Sequence, residues 1–181
     1  MKLLAISGSL RAASTNTVLV EALPALAPAG VEILVWRGLG DLPHFNPDLD
    51  GDAIPSVRAL RRLVGETDGL VLCSPEYAHG VAGVMKNGLD WLVPSLEFPE
   101  TPVALLNASP NAHHAQAHIR ETLSVMQARL VEAASIAVPL QGRKLTTEMI
   151  VEDPALWSAI RAALAAFVAA ISAFPPKPRW D

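Results

Sequence analysis

Five short apolar runs that alternate with stretches of helical periodicity predict an α/β domain built on a mainly parallel sheet. The runs are Leu3–Ile6, Glu32–Trp36, Leu70–Cys73, Val103–Leu106 and Ile136–Val138. Leu70–Cys73 and Val103–Leu106 are apolar without a break, the pattern of strands covered on both faces. The first, third and fourth runs each end in a loop of small or polar residues. With right-handed crossovers, such loops lie on one edge of the sheet and converge on a crevice at the strands' carboxyl ends.

The first element carries the most chemistry. Leu3–Ile6 stops at Gly8, a loop of small hydroxyl residues with one arginine follows, and a helical pattern opens near Asn16 with Leu19, Leu23 and Leu26 on one face. Unpaired amides at a helix N-terminus, together with the helix dipole, favour an anion. Ser9, Ser14 and Thr15 offer hydroxyls, Asn16 an amide and Arg11 a charged fork, a donor set suited to phosphate. A plain strand-to-helix junction capped by Ser14 or Asn16 fits the same residues. The loop is not a nucleotide P-loop, since no Gly-Lys-Ser/Thr closes it, nor a dinucleotide fingerprint, which needs a second glycine where Leu10 stands. Cys73 is not placed as a phosphatase nucleophile: His79 occupies the position where that loop needs its arginine.

The remaining elements follow in order. Gly38–Pro55 is a loop dense in Gly, Pro, Asp and Asn. Its Asp48–Asp52 stretch resembles a calcium loop only faintly, for the glycine is misplaced and Ala59 stands where the closing glutamate belongs. Val57, Leu60, Leu63 and Val64 mark a second helix, Val84–Leu92 a third, and Ile119, Leu123, Met126 and Leu130 a fourth. The last, Ala155–Ala173, belongs to a stretch long enough to span a bilayer, but Arg161 and the helical spacing of Leu156, Ile160, Leu164, Phe167 and Ile171 favour a helix packed on a sheet. One domain over residues 1–174 is expected, with a proline-rich surface tail at 175–181. A net charge of −4 argues against a nucleic-acid surface, a single cysteine fits a reducing compartment, and no signal peptide is read at the N-terminus, so the expected location is the cytoplasm.

With these loops in hand, the sequence resembles the NADPH-dependent FMN reductase family, whose members include flavin, quinone, azo-dye and chromate reductases of flavodoxin-like fold. Gly8-Ser9-Leu10-Arg11-Ala12-Ala13-Ser14-Thr15-Asn16 matches the family's phosphate loop. Ser74-Pro75-Glu76-Tyr77, running to Met85-Lys86-Asn87-Gly88-Leu89-Asp90-Trp91-Leu92, resembles its Pro-Glu-Tyr-Asn segment and following helix. Asp41-Leu42-Pro43 and Phe45-Asn46-Pro47-Asp48 resemble its loop after the second strand.

The resemblance implies a flavodoxin-like three-layer sandwich with a five-stranded parallel sheet. It implies FMN as cofactor, with the phosphate on Ser9, Arg11, Ser14, Thr15 and Asn16. Pro75, Glu76, Tyr77 and Ala78 would line the ring and ribityl chain, largely through backbone groups, and Ser109 would approach from the third loop. It implies a homodimer or homotetramer with Val84–Leu92 in the interface, although Met85, Leu89 and Trp91 suit core packing equally. The sequence departs from the family at Ala78, where asparagine is usual, at Ala82, and in Ser109–His114, which lacks the usual glycines.

The activity implied is ping-pong transfer of hydride from NADPH or NADH, through FMN, to a small acceptor such as free flavin, a quinone, an azo dye or a metal oxyanion. The flavin carries the chemistry, so no catalytic side chain is required. An electron carrier of the flavodoxin kind and a flavin-free binding protein are the alternatives. No metal is assigned: His114 and His118 are spaced to share a helix face, but the sequence shows no further ligand at a recognisable spacing. His79 lies beside the flavin segment and could meet a substrate.

Overall fold

The computed structural model describes residues 1–140, 142 and 144–175. Its central sheet is parallel, with β1 (Lys2–Ser7), β2 (Glu32–Trp36), β3 (Gly69–Cys73) and, after a small hairpin of β4 (Glu76–Tyr77) and β5 (Gly80–Val81), β6 (Pro102–Asn107). The spatial order is β2-β1-β3-β6, and the fifth position is shared by two short strands, β7 (Arg129–Leu130) and β8 (Ile136–Ala137), which pair with opposite ends of β6. The helices are α1 (Thr15–Leu26), α2 (Pro55–Glu66), α3 (Gly83–Leu92), α4 (His113–Val125), α5 (Thr147–Glu152) and α6 (Pro154–Ala173).

Both faces of the sheet are covered, which is why its strands read as continuous apolar runs. Leu3, Ala5, Val71, Cys73, Ala104 and Leu106 point to one face and pack with residues of α1, α5 and α6. Leu4, Ile6, Leu70, Leu72, Val103 and Leu105 point to the other and meet α2, α3 and α4. The alternation is the two-residue period of a strand, here apolar at both phases. On α6 the stripe Leu156, Ile160, Leu164 and Phe167 is buried in the first of these cores, as its spacing predicts, although the helix is long and apolar enough to cross a membrane.

Two predicted elements change. The helical spacing that runs to Leu130 overshoots: α4 ends at Val125, Gln127 takes a left-handed backbone (φ 61°), and Leu130 belongs to β7. Periodicity could not see this end, since Leu130 is apolar for the sheet instead of the helix. The loop after β3 is not irregular either. It folds into the β4–β5 hairpin, whose two turn residues Ala78 and His79 both have positive φ (48° and 57°). Hairpin turns of this hand favour Asn or Gly, so the sequence carried no turn signal there. The tail from Pro176 onward lies outside the described residues.

The Asn87–Trp91 segment, read as a family motif, is a fastening. Asn87 Oδ1 accepts from the Phe45 amide at 2.8 Å, and its Nδ2 donates to Pro43 O at 2.9 Å. One turn later, Trp91 Nε1 donates to the same Pro43 carbonyl at 2.8 Å. The carbonyl of Trp91 in turn accepts from the buried guanidinium of Arg61, which also pairs with Asp52. α3 thereby pins the long loop after β2. Met85, Leu89 and Trp91 are all buried in the core of the single chain, so they belong to packing and are not an exposed interface.

Candidate active site

The loops after β1, β3 and β6 do meet at the carboxyl edge of the sheet, around a cleft of ≈ 810 Å³. Ser9, Arg11, Ser14, Thr15 and Asn16 line it from the first loop, Pro75, Glu76 and Tyr77 from the second, and Ser109 from the third. Of the residues expected to hold the cofactor, Ala78 alone is not on the wall, because the hairpin turn carries it, with His79, out to the exposed tip.

The first loop is held open by its own hydroxyls. Ser7 Oγ meets Thr17 Oγ1 at 2.9 Å and accepts from the Ser9 amide, while Ser9 Oγ accepts from the Arg11 amide. Ser14 is the N-cap of α1, accepting from the Thr17 amide at 3.3 Å. The amides of Thr15 and Asn16 have no acceptor among the described residues, and both residues face the cleft. The arginine side chain of Arg11 is exposed there and makes no ion pair among the described residues. Orphan amides, a helix dipole and an unpaired guanidinium fit a phosphate group.

Gly8 is what lets the first two loops sit together. Its amide donates to Cys73 O at 2.8 Å, and a Cβ added there would lie 2.9 Å from Ser74 Oγ and 3.1 Å from Met85 Cβ. Beneath the loops, the Cys73 thiol donates to Asn16 Oδ1 at 3.1 Å. Asn16 therefore spends its carbonyl oxygen on tying α1 to the end of β3, and only the rest of the amide is left to face the cleft. Burial pushes the thiol pKa up to about 12, the opposite of what a nucleophile needs. Ellman's reagent at pH 8 is expected to leave the native protein untouched and to titrate one thiol once it is denatured. Rapid native reaction would show that Cys73 is not sealed.

Glu76 uses its side chain as well as its backbone. Its Oε2 accepts from the Ala115 amide at 2.9 Å, docking the hairpin on the first turn of α4. That hydrogen bond, helped by the nearby His114 and His79, holds the carboxyl below its ordinary range. It is thus a fixed carboxylate and not a proton donor near neutral pH. His79 stacks on His114, with ring centroids 4.1 Å apart.

Part of the wall was not foreseen. Asn107 lines the cleft and turns the third loop by accepting from the Ser109 amide at 3.0 Å. Gly142, Lys144 and Leu145 close the far side from the segment after β8. Among the described residues, Lys144 joins Arg11 as a second cation on the cleft.

Comparison with known proteins decides the family. The family model for NADPH-dependent FMN reductase matches residues 1–142. The chain belongs to this family. It is 32% identical over 158 residues to an NAD(P)H-dependent FMN reductase of Pseudomonas aeruginosa, covering 80% of this chain and 85% of the relative. It is 30% identical over 138 residues to the quinone reductase of Escherichia coli, covering 72% and 73%. Among solved structures, the flavoenzyme NAD(P)H:(acceptor) oxidoreductase FerB of Paracoccus denitrificans superposes with a TM-score of 0.77 at 27% identity, covering 94% of this chain and 97% of that one. Flavodoxin 1 of Bacillus cereus, at 17% identity and a TM-score of 0.60, covers 93% and 98% and shares the fold. The protein is accordingly a flavodoxin-like oxidoreductase of the FMN and NAD(P)H class.

Proposed function

We propose that this FMN reductase family member binds FMN in the cleft between the β1, β3 and β6 loops and uses it to reduce a small acceptor of the quinone or free-flavin type with NAD(P)H. The observation that carries the reading is the convergence of an anion-binding helix terminus, with Arg11 and the Thr15 and Asn16 amides, on the same cleft as Pro75, Tyr77 and Ser109. The phosphate is assigned to Ser9, Arg11, Ser14, Thr15 and Asn16, and the flavin ring to the Pro75–Tyr77 side. FMN held by these residues would supply the hydride chemistry that links the nicotinamide to the acceptor.

The protein's own part is positional. Ser14 and Thr17 fix the mouth of α1, Glu76 keeps the hairpin seated on α4, and Lys144 offers charge on the far wall. The altered third loop still reaches the cleft through Ser109, Asn111 and Ala112, despite lacking the usual glycines. We assign the protein to the cytoplasm on its free thiol. We also assign it as a homo-oligomer, a reading supported by the exposed apolar Val93 and Leu96 just beyond α3.

The test is spectroscopic. After incubation with FMN and removal of free ligand, the protein should keep a flavin absorbance that bleaches on anaerobic addition of NADPH or NADH and returns when a quinone is added. Flavin retained without bleaching by either nucleotide would point to an electron carrier. No flavin retained, even at micromolar protein, would overturn the site assignment.

A further inference from the structure

At the rim of the cleft, the hairpin and α4 bring His114 to two groups of the β4–β5 segment that are far from it in sequence. Glu76 comes from β4, His79 from the hairpin turn and His114 from the first turn of α4. One ligand atom of each, a carboxylate oxygen and two imidazole nitrogens, lies within 4.8 Å of the others. Both histidines are exposed at the surface, and Glu76 is only partly buried.

We propose that Glu76, His79 and His114 form a binding site for a divalent transition-metal ion of the zinc type. The donor set selects the ion. Two imidazoles and one carboxylate suit Zn²⁺, Co²⁺ or Ni²⁺ and do not suit Mg²⁺ or Ca²⁺, which take oxygen ligands. At metal–ligand distances of about 2.0–2.1 Å, ligand atoms on a tetrahedral ion stand about 3.3 Å apart. Closing from the observed spacing to that one takes small rotations of two exposed rings.

The glutamate is already oriented, because Oε2 is held by the Ala115 amide and the carboxylate is kept ionised. That bond is the kind of outer support which fixes a metal-ligating carboxylate. The histidine rings stack with an interplanar angle of 24°, which holds the two imidazoles side by side, and a bound ion requires them to turn until their in-plane lone pairs converge. Three protein ligands leave a fourth position open to water or to an oxygen of a small molecule. The helical pair His114 and His118, which the sequence suggests, is not the partner set. The missing ligands come from the loop after β3, on the segment that also lines the flavin cleft.

The experiment is a calorimetric titration of the full-length protein, free of any histidine tag, with Zn²⁺. One site per chain is expected, and the Co²⁺ form should show the visible absorption of a four- or five-coordinate ion. His79→Ala and His114→Ala should each weaken binding by about tenfold or more. His44→Ala and His113→Ala, which remove histidines elsewhere, should leave it unchanged. Because both ligands are surface residues, an unaltered circular dichroism spectrum is expected for each variant and confirms that the loss is local. Absence of Zn²⁺ binding, or binding that survives both His79→Ala and His114→Ala, would overturn the proposal.

Discussion

Replacing Arg11 with alanine should weaken FMN binding by about 1.5–3 kcal/mol, roughly 10- to 150-fold, the range for hydrogen bonds to a charged group. The prediction rests on an exposed guanidinium that shares the cleft with the Thr15 and Asn16 amides, none of which has an ion-pair or hydrogen-bond partner among the described residues. Fold stability should barely move, since the residue is exposed. Quenching of FMN fluorescence on titration with protein measures the affinity. Arg62→Ala, which removes an exposed arginine paired with Glu66 on α2, is the control for general charge. An affinity within twofold of the parent would remove Arg11 from the phosphate site and leave the amides to hold it alone.

The second large effect concerns the fold. Trp91→Ala should destabilise the protein by about 3–5 kcal/mol, the usual cost of deleting a large buried aromatic ring. Trp91 is 1% exposed, meets Phe45 edge-on at 5.1 Å, and donates to the Pro43 carbonyl. The loss should be read as a fall in the urea midpoint. Trp91→Phe keeps most of the ring and loses the N–H, so it should recover more than half of the difference. If the alanine variant lost less than about 1.5 kcal/mol, the loop after β2 would not depend on α3 as the hydrogen bonds indicate.

The sheet was legible because burial on both faces leaves runs such as Leu70–Cys73 with no polar residue to blur them. The first loop was legible for a different reason. Its serines, arginine and asparagine gather more donors at one helix end than a single cap uses, and all of them line the cleft. What escaped was set by long-range contact. The hairpin has Ala and His at turn positions that usually advertise themselves with Asn or Gly, and it persists because Glu76 and α4 hold it. The end of α4 escaped because Leu130 serves the sheet at a spacing that also suits the helix. Lys144 escaped because nothing local distinguishes a cleft lysine from a surface one. Asn87 and Trp91 were visible as a motif, yet their role in fastening a distant loop could be seen only with Pro43 and Phe45 in place.

The seclusion of Cys73 has a chemical consequence. Quinones are electrophiles that arylate thiolates, and relatives of this chain bear the name quinone reductase. The chain has a single sulfhydryl, and it lies under the loops with its proton held by Asn16. A protein built this way offers a soft electrophile no accessible sulfur to capture, so with a quinone as its acceptor, covalent loss at cysteine would not limit its working lifetime.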